Sequence, residues 1–156
     1  MENAIFAAGC FWGPEAVLAK LPGVIATEVG YTGGVTPNPT DMRIYAGGTG
    51  HAEAVKVTFD PAKISYQTLV EKFFELHDPT QMNRQGPDVG DQYRSAIFYT
   101  SSEQEKIARQ VKDRLQQSGK YKRPIATVIM PEATFWRAED YHQKYYEKRG
   151  GGSCHI

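Results

Sequence analysis

Cysteine is scarce in this chain, with only Cys10 and Cys154 among 156 residues. Two thiols cannot form the disulfide framework that holds small secreted domains together. Net charge is missing too, since 18 Lys and Arg balance 18 Asp and Glu. Without a basic excess to hold phosphates, or a block of like charge, nucleic acid is not expected as a partner. No apolar run reaches the ~20 residues that span a bilayer, so no membrane is expected either. The residues before Cys10 contain no Lys or Arg and include the acidic Glu2. A secretory signal needs a positive start and a longer apolar stretch. The expectation is a leaderless, cytoplasmic chain. In a reducing compartment its cysteines are more often catalytic or redox-active than a static staple.

What is present suits a globular domain. Apolar residues make up 40% of the chain, enough for a real core at this length. One domain is expected over 1–156, with a flexible glycine-rich tail from about 149. Strands are predicted at 3–9, 24–31, 53–59, 95–100 and 125–130 from short apolar or alternating runs. Helices are predicted at 14–21, 65–77, 101–119 and 138–148. Ser65 is the expected cap of the second helix, Ser102 and Glu105 fit a capping box, and Gly119 fits the far end of the third. Residues 32–50 and 78–93 read as long polar loops, which in a small domain are usually functional or disordered. The order βαβ, βαβ, αβα predicts an α+β fold: a ferredoxin-like α/β sandwich core with a mixed sheet and long loops.

The chemistry gathers first at "GCFWGPE" (9–15). Cys10 falls where a strand gives way to a helix. Unpaired N–H groups and the helix dipole there favour the thiolate, and Gly9 and Gly13 free the backbone for a sharp bend. A buried, inert cysteine is the competing reading. Phe11 and Trp12 are core candidates taken singly; beside a reactive thiol they can form an apolar cup for a methyl group. His51, in "TGHAE", is either a general base for Cys10 or a loop histidine bonded to backbone. Glu53 is either a solvated carboxylate or, facing an apolar pocket, a proton donor at neutral pH. Tyr93, just before a strand, can turn its hydroxyl toward a site, whereas most polar groups of its loop read as ordinary. Cys154 follows three glycines. From Lys148 to Cys154 the extended chain reaches roughly 20 Å, at about 3.3 Å per residue, so a second thiol can return to the first as a resolving cysteine must. A zinc site from Cys10, His51, Cys154 and His155 lacks supporting spacing, and no metal is expected. His77 and His142 read as structural.

The stretches "GCFWG" (9–13), "VGYTGG" (29–34), "GTGHAEAV" (48–55), "HDPT" (77–80), "NRQGPDVGDQYRSAIFY" (83–99) and "AEDYHQ" (138–143) together resemble the A-type peptide methionine sulfoxide reductases. Separated matches in order are far more specific than one short motif. The resemblance implies that Cys10 is the nucleophile and that Phe11 and Trp12 hold the substrate methyl. It implies that Glu53 protonates the sulfoxide oxygen, that Tyr93 donates a hydrogen bond to it, and that Asp88 helps arrange the pocket. It further implies that Cys154 resolves the intermediate, that thioredoxin reduces the resulting disulfide, and that the S epimer is the substrate, free or in oxidised proteins. No cofactor is called for, and a monomer is expected.

Two departures stand out. Members commonly carry a tyrosine after "NPT", where this chain has Asp41, and many have two cysteines near the C-terminus, where it has one. Asp41 is expected to turn outward, rather than Tyr45 swinging in to replace the missing phenol. Two other classes compete: a hydrolase or acyltransferase using Cys10 and His51, and a non-enzymatic zinc-binding or interaction module.

Overall fold

A computed structural model describes residues 1–148. Its centre is strand β1 (Glu2–Ala8), whose side chains alternate between two buried layers. Ala4, Phe6 and Ala8 face the larger core; Ile5 and Ala7 face a smaller one. The same period of two sorts β3 (Ala52–Phe59) and β6 (Ser95–Tyr99). With β2 (Val24–Thr32), β7 (Val128–Pro131) and β8 (Trp136–Arg137) they form a sheet of order β7-β6-β1-β3-β2-β8. Only the β6–β7 pair is parallel; the other pairings are antiparallel. The mixed sheet and α+β class expected from the element order are therefore present.

Helices α1 (Trp12–Leu18), α3 (Tyr66–Glu75) and α4 (Ser102–Gln117) supply Leu18, Leu69, Val70, Phe73, Ala108 and Val111 to the larger core. Side chains at three- and four-residue spacing lie on one helix face, which is why Leu69, Val70 and Phe73 point the same way. Phe73 is fully buried, and its ring centroid lies 5.3 Å from that of Phe6. Phe73→Ala should cost about 3–5 kcal/mol, the usual range for deleting a fully buried aromatic ring. The measurement is the shift of the denaturant midpoint at unchanged slope.

Caps and short elements depart from the expected boundaries. Ser65 caps α3 by accepting the Thr68 N–H, as expected. The cap of α4 is Ser101, which accepts from Gln104, instead of a box built from Ser102 and Glu105. The first long loop contains α2 (Asp41–Ala46), capped by Thr40. The second folds into a two-residue hairpin, β4 (Arg84–Gln85) with β5 (Asp88–Val89), and a 3₁₀ turn at Asp91–Tyr93.

The largest difference falls at 138–148, where the sequence pattern predicts one helix. The chain instead makes a 3₁₀ turn, Asp140–His142, and a single turn α5 (Tyr145–Lys148). Its polar groups are engaged elsewhere. Ala138 N–H donates to the Val29 carbonyl, and the buried Gln143 amide bonds both the N–H and the C=O of Val29, each at 2.9 Å. Bonds to a strand edge thus replace the i to i−4 ladder, and Lys144 turns the chain with φ +54°. Among the described residues, no helix is long and apolar enough to cross a membrane.

This topology decides where the chemistry collects. β1 runs antiparallel to both β3 and β6. Its C-terminal end, leading to Cys10, therefore lies at the beginnings of β3 and β6, where Glu53 and Tyr93 stand.

Candidate active site

Gly9 makes the turn out of β1 with φ +88°, a region that side chains rarely enter. Gly13, by contrast, is a buried residue within α1 and has no part in the bend. Cys10, between them, is half-buried. The next residue, Phe11, donates its backbone N–H to Glu53 Oε1 at 3.3 Å. That bond sets a buried carboxylate against the peptide that carries the thiol. Glu53 pairs across the sheet with Tyr31 and shares the helix-covered face with Val55 and Val57. The alternative of a solvated strand-start carboxylate is thus excluded by burial.

Tyr93 stands at the end of the 3₁₀ turn before β6. Burial, and then the negative potential of Glu53, Asp88 and Cys10, pushes its pKa up to about 12. The phenol therefore remains protonated, a hydrogen-bond donor, through the whole physiological range. Asp88, on β5, is close enough to Tyr93 to contribute to that potential. Cys10, Glu53, Tyr93 and Asp88 are thus brought together, although 78 positions separate Cys10 from Asp88 in the chain. Cys154 lies outside the described residues.

Phe11 and Trp12 converge on His142. The Phe11 ring is almost fully enclosed, 5.1 Å from the His142 ring centroid and 5.8 Å from that of Tyr31. Trp12 is half-buried; it stacks on Tyr145 at 3.6 Å and donates its indole N–H to His142 Nδ1 at 3.0 Å. Trp12 therefore keeps more accessible ring surface than Phe11. A pocket of about 480 Å³ lies between α1 and α5, lined by Trp12, Glu15, Lys20, Lys144 and Tyr146 among others. It does not include Cys10, Glu53 or Tyr93.

His51 is not a base for Cys10. Its Nδ1 accepts the Gly34 N–H at 3.0 Å, so the ring proton is on Nε2, which donates to the Thr36 carbonyl at 2.7 Å. Both nitrogens hold the first loop, leaving neither for a thiol or a metal. A Cβ on Gly34 would run into the backbone of Gly50 and His51, so glycine is required at that crossing. His77 also has a structural role, bonding the Phe73 carbonyl and the Ser95 hydroxyl.

Asp41 does not simply face solvent. Its carboxylate is half-exposed, accepts the Tyr141 hydroxyl at 2.7 Å, and has Oδ2 3.3 Å from His142 Nε2. Its backbone N–H donates to Glu139, whose other oxygen accepts the hydroxyl of the fully buried Tyr31. Burial and the Glu139 carboxylate raise the Tyr31 pKa far above its ordinary value, so that phenol is also a fixed donor. Tyr45 is largely exposed, yet close enough to Tyr93 to contribute to the same potential.

Sequence reasoning missed Glu15, Glu139 and Gln143 here, and read His142 only as structural. Glu15, buried in α1, accepts the Thr27 hydroxyl, the Lys144 backbone N–H and the Lys144 ammonium; this ties the end of the described chain to the helix after Cys10. Glu139, His142 and Gln143 close the other side. The usable signal was density: "AEDYHQ" holds two carboxylates, a phenol, an imidazole and an amide in six residues, more polar groups than one buried helix turn can satisfy.

A half-buried thiol, a buried carboxylate touching its peptide and a phenol held as donor give this end of the sheet the groups a thiol-dependent enzyme can use. A family model of peptide methionine sulfoxide reductase matches residues 2–156, and the chain belongs to that family. The peptide methionine sulfoxide reductase MsrA of Methanoculleus marisnigri is 55% identical over 154 residues, which cover 99% of this chain and 94% of that one. Among solved structures, Mxr1 from Saccharomyces cerevisiae in reduced form superposes with a TM-score of 0.91 at 36% identity, covering 99% and 88% of the two chains. Mxr1 in complex with Trx2 superposes with a TM-score of 0.65 at 27% identity, covering 92% and 84%.

Proposed function

We propose that this protein reduces methionine-S-sulfoxide, free or in oxidised proteins, to methionine, and that it works as a monomer in the cytoplasm to repair oxidative damage. The Cys10 thiolate attacks the sulfoxide sulfur while Glu53 delivers a proton to the oxygen. Tyr93 donates a hydrogen bond to that oxygen, and Asp88 helps shape the pocket. Phe11 and Trp12 receive the S-methyl group. The sulfoxide sulfur gains two electrons and leaves as the thioether; Cys10 loses two and keeps the oxygen as sulfenic acid. Cys154 then condenses with the sulfenic acid, releasing water and forming a disulfide. A thioredoxin restores the two thiols, as the partner in the Mxr1–Trx2 complex suggests.

The observation that carries this reading is the Phe11 N–H on Glu53, which holds an acid beside the reactive thiol. The test is consumption of separated S and R epimers of a methionine sulfoxide with dithiothreitol as reductant. Turnover of S alone is expected, whereas equal use of both epimers, or of neither, rejects the reading. Both nitrogens of His51 are occupied, so nothing favours the Cys–His hydrolase.

Cys154→Ser separates the two halves of the cycle. About one methionine per enzyme should still appear in a single turnover, because the first step needs only Cys10. Thioredoxin-driven cycling should collapse. Undiminished cycling would show that the tail thiol does not resolve the intermediate.

A further inference from the structure

His142 is a nearly buried imidazole between two groups that want opposite things from it. The Trp12 indole N–H can only donate, so the Nδ1 that accepts it carries no proton and the ring is the neutral Nε2–H form. On the other side, Nε2 lies 3.3 Å from Asp41 Oδ2. That is an ion-pair distance without the alignment of a hydrogen bond, and Nε2 has no other partner. The rings of Phe11 and Tyr141 flank the imidazole at 5.1 and 4.2 Å.

A proton added to Nδ1 would set one N–H against another and break the Trp12 bond. The same proton would complete a salt bridge to Asp41. Asp41 is fixed for that purpose at both ends, by the Tyr141 hydroxyl on its carboxylate and by Glu139 on its backbone. The ionisable groups around the ring include Asp41 from α2, Tyr141 and Glu139 from its own segment, Tyr31 of β2 behind Glu139, Glu53 of β3 beyond Tyr31, and the Tyr145 and Tyr146 phenols of α5 against Trp12. The α1 end contributes the neutral rings of Phe11, at its cap, and Trp12; further along α1, the Glu15 carboxylate is engaged by Lys144.

We propose that His142 is a proton-controlled positioning residue: neutral, it holds Trp12 in the wall of the methyl pocket; charged and paired with Asp41, it releases Trp12 and weakens substrate binding. This rests on the assignment of Trp12 to that wall. Acidification therefore raises KM and leaves kcat nearly unchanged, with Asp41 the partner of the charged ring.

The first arm of the test needs no substrate. Long-range ¹H–¹⁵N NMR on the intact labelled protein, across roughly pH 5–8 where imidazoles ordinarily titrate, reads the His142 tautomer and the Trp12 indole N–H, assigned by comparison with Trp136→Phe. The expected result is an Nε2–H ring at high pH, and a Trp12 signal that moves with the same midpoint as the His142 titration. Asp41→Asn should shift that midpoint to lower pH. The second arm is KM for a methyl sulfoxide, which should rise through that midpoint by roughly three- to tenfold, the worth of one ordinary hydrogen bond. His142→Gln keeps an acceptor for the indole and should abolish the pH dependence; His142→Ala should raise KM by a similar factor at every pH. An Nδ1–H tautomer, a ring that stays neutral to pH 5, a Trp12 signal blind to the His142 titration, or a midpoint unmoved by Asp41→Asn overturns the proposal. A protein that reduces neither epimer defeats the proposed function; one that reduces the S epimer with KM flat across the midpoint defeats this inference alone.

Discussion

Cys10→Ser should reduce sulfoxide consumption to the uncatalysed background, with the fold intact. The substitution changes one atom at a half-buried position just beyond the end of β1, so packing is hardly disturbed. The chemistry is removed completely. A serine hydroxyl is not appreciably ionised near neutral pH, is far less nucleophilic toward sulfur, and has no sulfenic acid state in which to hold the oxygen. The measurement is methionine release with dithiothreitol in large excess, together with a thermal melt to confirm folding. Turnover within an order of magnitude of the parent protein would show that another group attacks the sulfoxide.

The second large effect is expected of Glu53→Gln. The amide keeps the shape of the side chain and an oxygen that can still accept the Phe11 N–H, so the thiol and the strand stay where they are. It cannot deliver a proton. General acid catalysis by a positioned side chain typically contributes ~10²–10⁴-fold, and single-turnover methionine release should slow by a factor in that range. Tyr93 will not take over the role. With its pKa pushed up to about 12 it is a far weaker acid than a carboxyl group, and it serves as a hydrogen-bond donor. The pH–rate profile should accordingly show no break from Tyr93 ionisation anywhere below about pH 10, in the parent or in the Glu53 variant. Reduction of an already formed Cys10–Cys154 disulfide by thioredoxin should be unaffected. An unchanged first-step rate at neutral pH would remove Glu53 from the mechanism.

Much of this was written locally. The period of two in "EAVKVTF" fixes which residues of β3 face each core layer, and the 3.6 period of "SYQTLVEKFFELH" fixes the buried face of α3. Ser65, with its short hydroxyl, sets the start of that helix without help from distant residues. The thiol at the junction of β1 and α1 was equally legible, because a glycine before a cysteine and a proline after it already describe a turn entering a helix. Tertiary structure decided the rest. Whether Glu53 was solvated or buried depended on α1 covering its face, and whether His51 was a base or a brace depended on where Gly34 and Thr36 came to lie. Residues 138–148 carry a helical pattern, yet the edge of β2 offered Val29's backbone groups to Gln143 and Ala138, and those bonds outcompeted the helix. Asp41 and His142 meet only because that segment folds across the first loop. The physical reason is common to all four: propensity and periodicity act over a few neighbours, whereas burial and hydrogen-bond partners come from residues tens to a hundred positions away. No local pattern encodes which of them will arrive.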